Sequence, residues 1–271
     1  MNLAKTIVNN LKGHKKMNTA RRDIIRRILQ SKPFVSLHEL EDAFPDVSSM
    51  TLRRDIEYFE KSGEAIKVRG GARSMKFITT SMEDAFSLRL NSNMTAKERI
   101  AMAAVNYIET GRSIFLDSGT TILKMASIMP DERLSILTTG PNIALELVKK
   151  NLPIINLVGG MINRDNISIS GNQAISFIEG INIDTAFLVP SGFSLDNGFT
   201  SGNYSECELK SLICEKARRT IILADASKLD RSLPYTFAKL SQIDIIITSG
   251  PVSDDFKEAV REAGVELIVA D

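Results

Sequence analysis

Seven short runs of branched and aliphatic residues recur beyond residue 92: SIFLD, LSILT, PIINLV, DTAFLV, TIILA, IDIIIT and VELIV. Their unbroken apolar character marks strands covered on both faces. Helical patterns follow most of them, at 119–129, 141–150, 171–179, 204–217 and 254–263. Strands and helices in alternation predict a mostly parallel, doubly wound sheet. Ligands of such sheets bind beyond the carboxyl ends of the strands.

Polar residues at those ends are therefore the candidates for a binding site. After SIFL come Asp117, Ser118, Gly119, Thr120 and Thr121 at the start of a helix, where orphan N–H groups and the helix dipole favour an anion. Thr139 and Gly140 end the next strand, Gly159 and Gly160 the third, Ser191 and Gly192 the fourth, and Asp225 with Lys228 the fifth. Any one of these is an ordinary turn, and the signal is their recurrence at equivalent places. Glu206 and Lys210 stand i, i+4 on an expected helix. Alone they read as a surface ion pair worth about 0.3–0.5 kcal/mol. If that helix starts at the cleft, they become groups for sugar hydroxyls or phosphate.

The first part of the chain has another pattern. TARRDIIRRILQSK puts Ile24, Ile25, Ile28 and Leu29 on one helical stripe, ended by Pro33. Ser36 followed by Glu39 is a capping-box pattern for a short second helix that buries Leu37, Leu40 and Phe44. A third helix over MTLRRDIEYFEKSG turns Leu52, Ile56 and Phe59 inward. A helix entering the major groove meets base edges with its first residues and phosphates with its arginines. AIKVRGGARSMKFI then reads as a basic hairpin. Candidate DNA contacts are Arg21, Ser36, Ser48, Ser49, Met50, Thr51, Arg53, Arg54, Lys67, Arg69 and Arg73.

Charge divides the same way. Residues 1–76 hold 16 Lys and Arg against 9 Asp and Glu, a net of +7, whereas the remainder holds 18 against 24, a net of −6. A basic head on an acidic body implies that the head alone approaches a polyanion. No apolar run reaches the roughly 20 residues of a membrane span, and the N-terminus lacks a secretory apolar region, so no membrane partner and a cytoplasmic location are expected. Both histidines, His14 and His38, lie in the head, so the body has neither a histidine base nor a zinc pattern. Cys207 and Cys214, seven residues apart on one expected helix, are about 10 Å apart, too far for a bridge. The absence of a G-x-G-x-x-G turn excludes a dinucleotide fingerprint.

The segments RRDIIRRIL, VSLHELEDAF and VSSMTLRRDIEYFEKSGEAIKVRGGA resemble the winged helix-turn-helix of DeoR-type bacterial repressors of sugar catabolism. FLDSGTT, NIALEL, LVGG, GFT…E…LK and ILADASK resemble, in order, motifs of that family's sensor domain. Asp46, Met50 and Thr139 depart from its commoner residues. The resemblance implies an N-terminal extension at 1–17, a winged helix-turn-helix at 18–78, a linker at 79–92 and a larger α/β sensor at 93–271 similar to ribose-5-phosphate isomerase folds. It implies a repressor of a carbohydrate operon that binds double-stranded operator DNA as a homodimer or homotetramer. A phosphorylated sugar would be the effector, with no metal, catalytic residue or cofactor. The effector set implied is Asp117, Ser118, Gly119, Thr120, Thr121, Thr139, Gly159, Gly160, Gly192, Thr200, Glu206, Lys210, Asp225 and Lys228. The alternative is a sugar-phosphate isomerase or transferase-like enzyme with an appended DNA module, in which Glu206 acts as base beside Lys210 or Lys228.

Overall fold

The computed structural model describes residues 17–31, 34–68, 70–74 and 86–271. Residues 1–16 of the expected extension, Pro33, Arg69 and residues 79–85 of the expected linker lie outside the described residues. Two compact units divide the chain, Met1–Met82 and Glu83–Asp271.

In the first unit the order is α1 (Met17–Ser31), β1 (Phe34–Ser36), α2 (Leu37–Ala43), α3 (Ser49–Lys61), β2 (Ala65–Val68) and β3 (Gly71–Ser74). The apolar stripes meet in one core of Ile24, Ile25, Ile28, Leu29, Leu40, Leu52, Ile56 and Phe59. The Ser36 hydroxyl accepts the Glu39 N–H at 3.1 Å and starts α2, and Ser48 accepts that of Thr51 at 3.4 Å and starts α3. The expected hairpin forms, and β1 joins it in the antiparallel order β1-β3-β2. Three residues of β1 carry too short an alternation to announce a strand, and pairing with β3 defines it.

Polar contacts fix α1 on α3. The Asp55 carboxylate, 1% exposed, accepts from Nε of Arg21 at 2.6 Å and of Arg22 at 2.9 Å. Arg22 also lies over the Tyr58 ring, 3.9 Å from its centre. Arg26 Nε meets Glu64 at 2.6 Å.

The second unit opens with α4 (Phe86–Asn91), α5 (Met94–Ala104), β4 (Ser113–Leu116), α6 (Thr120–Ile128), β5 (Ser135–Thr138), α7 (Pro141–Leu147) and β6 (Ile154–Leu157). Then come β7 (Met161–Asn163), β8 (Ser168–Ser170), α8 (Asn172–Glu179), β9 (Ile183–Leu188), β10 (Gly192–Ser194), β11 (Gly198–Ser201) and α9 (Tyr204–Lys216). It closes with β12 (Ala217–Asp225), β13 (Tyr235–Ala238), β14 (Ile245–Ser249), α10 (Asp254–Glu262) and β15 (Glu266–Val269). The helix α4 corrects the sequence reading, which placed 86–91 in a linker. Its six residues FSLRLN are too few for a helical period to be legible.

The large sheet has the order β6-β5-β4-β9-β12-β14-β15, and every neighbouring pair is parallel. The chain starts at β4, moves outward to β6, and returns to lay β9 against the other side of β4. Strand order therefore reverses between β4 and β9, the place where open α/β sheets bind ligands. Alternate strand residues feed two cores. Ile114, Leu116, Ile221, Leu223, Ile245 and Ile247 pack with Ile100, Met125 and Leu147 on one face. Phe115, Ile222, Ala224 and Ile246 pack with Ile178, Ile213 and Phe256 on the other. Each full burial contributes about 1.5–3 kcal/mol, which is why these runs show no polar alternation.

Two additions escaped the sequence reading. β10, β11 and β13 form a small antiparallel sheet, and β7 pairs with β8. The segments GFS and GFTS, read as ligand-facing turns, are strands of that small sheet.

Candidate functional site

A cavity of about 260 Å³ opens at the reversal point. The end of β4 contributes Gly119, Thr120 and Thr121, the end of β9 contributes Val189 and Pro190, and the end of β12 contributes Asp225, Ser227 and Lys228. Arg89, Asn93 and Lys97 enter from α4 and α5, and Arg231 from the loop before β13.

Gly119 is required where it stands. Its φ is +149°, and a Cβ there would lie 2.8 Å from Val189 Cγ2. The turn thus brings α6 in with no side-chain cap on its first residues. Thr120 and Thr121 are nearly buried beside that uncapped N-terminus, a built-in attraction for an anion.

Opposite stand the cations. Lys97, 6% exposed, donates from Nζ to the carbonyls of Arg89 and, at 2.7 Å, Ser92. Burial pulls its pKa below the usual lysine value, Asp225 opposes that, and Lys228 and Arg89 push it lower still. Asp225 accepts from Asn93 Nδ2 at 3.1 Å and from the Ser227 N–H at 3.0 Å. Arg231 Nε is buried and makes no hydrogen bond.

Five expected effector residues line this cavity: Gly119, Thr120, Thr121, Asp225 and Lys228. The others do not. Asp117, 2% exposed, accepts the N–H groups of Ser118 at 2.8 Å and Val189 at 2.9 Å and pairs with Lys210 Nζ at 2.8 Å. Lys210 also donates to the Val189 carbonyl at 2.6 Å, so this buried pair stitches β4, β9 and α9 together. Glu206 does not pair with Lys210 as its spacing suggested. Its Oε1 accepts from Ser168 Oγ at 2.5 Å and from Asn166 Nδ2, which holds the β7–β8 hairpin. Thr200 donates to the Gly192 carbonyl and accepts the Leu233 N–H, both at 3.0 Å. Gly192 makes room for the Arg231 carbonyl, 2.5 Å from where a Cβ would stand. Thr139 accepts the Ile169 N–H on its carbonyl at 2.8 Å. Gly159 and Gly160 lead into β7, and Gly160 packs on the Ser170 carbonyl. The common reason for these corrections is that buried polar groups take protein partners, and those partners are distant in sequence.

The sequence reading missed Arg89, Asn93, Lys97, Ser227 and Arg231. For Lys97 a signal existed, because it shares a stripe with Ile100, Ala101 and Ala104 at helical spacing. A lysine on a buried face needs a partner or a ligand.

In the first unit, Ser48, Ser49, Met50, Arg53 and Arg54 are exposed along the first turns of α3, with Met50 at 62%, and Thr51 is half-buried. Ser49 Oγ touches Glu41 at 2.5 Å, and Lys67 Nζ meets Glu57 at 2.6 Å from the hairpin. Ser36 serves as a cap. Arg21 is corrected from a DNA contact to a partner of Asp55, its side chain only 10% exposed. Arg73 lies on β3 opposite Phe34. Among the described residues no cluster of His, Cys, Asp and Glu is arranged to hold a metal, and no helix is long and apolar enough to cross a membrane.

Comparison with known proteins matches both units. The model of the DeoR-like helix-turn-helix domain matches residues 21–77, and that of the DeoR C terminal sensor domain matches residues 92–250. The HTH-type transcriptional regulator GlpR of Haloferax volcanii is 32% identical over 222 residues, covering 82% of this chain and 86% of that protein. The HTH-type transcriptional regulator IolR of Bacillus subtilis is 32% identical over 238 residues, covering 87% and 93%. Ribose 5-phosphate isomerase A from Methanocaldococcus jannaschii aligns with a TM-score of 0.38 and 16% identity over 51% of this chain and 55% of that one, a likeness too low to bear on chemistry.

Proposed function

Because this chain belongs to the DeoR family of helix-turn-helix transcriptional regulators, we propose that it is a cytoplasmic repressor of a carbohydrate operon whose sensor unit binds a phosphorylated sugar. The observation that carries the reading is the cavity at the sheet's reversal point, where an uncapped helix start faces an excess of cations. A phosphate answers both at once: its oxygens take the first N–H groups of α6 and its charge relieves the crowding around Lys97. The sugar hydroxyls fall to Asp225, Asn93 and Ser227. The effector is the sole small molecule required, without metal or cofactor.

The enzymatic alternative loses its cast. Glu206 and Lys210, the base and its partner in that scheme, are engaged with Ser168 and Asp117 and do not line the cavity. Binding without turnover is the function the remaining residues support.

Titration of the full chain with pentose and hexose phosphates tests the reading. A ligand of this site raises the melting temperature by mass action. Thr120→Val and Lys97→Met should each weaken effector binding about ten-fold or more, the scale of one charge-assisted hydrogen bond, and leave operator affinity intact. Equal affinity in both variants would place the effector elsewhere.

For the DNA side, two copies of the head would read two half-sites about 34 Å apart or a multiple of that. Arg53→Ala and Arg54→Ala should weaken operator binding with no change in melting temperature. Each that contacts phosphate should reduce the slope of log affinity against log salt by about one. Retardation assays at several salt concentrations check this, and an unchanged slope in both would move the DNA face off α3.

A further inference from the structure

The charge of the cavity narrows the ligand further, given the reading of it as the effector site. Among the described lining residues Arg89, Lys97, Lys228 and Arg231 stand against Asp225 alone, four cations to one carboxylate, a net of +3. A phosphate monoester brings about −1.5 to −2 at neutral pH, which leaves the site short of balance by about one charge. Low-dielectric surroundings make that residue of charge costly. The depressed pKa of Lys97, to which Lys228 and Arg89 contribute, is the same excess seen from one member.

The donors are also split in space. Gly119–Thr121 follow β4 and Lys228 follows β12, and β9 lies between those strands. Two strand spacings are about 10 Å, the reach of a polyhydroxy chain of about five or six carbons with an anionic group at each end. Arg231 is ready on the β12 side: its backbone N–H is held by the Phe193 carbonyl at 3.0 Å, while its buried Nε makes no hydrogen bond. An arginine fork suits a planar carboxylate or a phosphate.

We infer that the effector carries a second anionic group, a carboxylate or a second phosphate, held by Arg231 and Lys228 at the far end from a phosphate held at the start of α6. Calorimetric titration of the full-length protein compares sugar monophosphates, phosphorylated aldonic acids and sugar bisphosphates of equal carbon number. The doubly anionic compounds should bind at least ten-fold tighter than the matching monophosphate, about one added charge-assisted contact, and the better of the two classes identifies the second group. Arg231→Gln should abolish that preference and leave monophosphate affinity within about two-fold, a difference small on the scale of a lost contact. Monophosphates binding as tightly as the doubly anionic compounds, or Arg231→Gln weakening all ligands alike, would overturn the second group and leave the phosphosugar site standing. No binding by any phosphorylated compound would overturn both.

Discussion

Replacing Asp55 with alanine will destabilise the helix-turn-helix unit by about 3–5 kcal/mol, the cost of removing one partner from a buried charge cluster, and operator binding will fall with it. Asp55 is 1% exposed and joins α3 to α1 through Arg21 and Arg22. Without it the Arg21 guanidinium stays largely buried and loses that carboxylate. A loss of this size is a large part of the 5–15 kcal/mol that holds an ordinary domain. Denaturation of the full chain followed by circular dichroism, with retardation of operator DNA in parallel, checks the result. The contrast with Arg53→Ala is the diagnostic, since that variant should lose DNA without losing fold. A D55A protein that melts and binds as the parent does would show that the recognition helix is held by its apolar face alone.

The second large effect belongs to the Asp117–Lys210 pair. Lys210→Met should cost about 3–5 kcal/mol, because Asp117 remains buried with a charge no longer answered. D117N should cost a similar amount from the other side. The double variant D117N/K210M should lose less than the sum of the two by about 1–3 kcal/mol, the coupling expected of groups in direct contact. Urea denaturation of the four proteins completes the cycle. Single variants of parental stability but altered effector affinity would return both residues to ligand binding.

These two pairs also show where the sequence could be read and where it could not. The strands announced themselves because both faces of the parallel sheet are buried, so Ile114 and Phe115, which point to opposite faces, are both apolar. The start of α3 was legible from Ser48 and its inner face from Leu52, Ile56 and Phe59, because capping and helical period act within a few residues. The turn Gly119–Thr121 was legible for the same reason. Asp117, Thr200, Glu206 and Lys210 looked like unengaged polar groups at strand ends. Their partners, Lys210 for Asp117, Leu233 for Thr200 and Ser168 for Glu206, lie tens of residues away. Arg89 and Arg231 gave no local sign, since each reaches the cavity from a short helix or loop without a period of its own.

By itself, then, the amino-acid order determined the local events: which segments become strands, where helices begin, and that a basic head precedes an acidic body. Those follow from steric preference, capping and burial, which operate over a turn or two of chain. The tertiary structure alone decided which polar side chains neutralise one another and which remain to meet a ligand. Chain reversal between β4 and β9 leaves a gap at one place in the sheet, and only groups from four separate segments that converge there share its field.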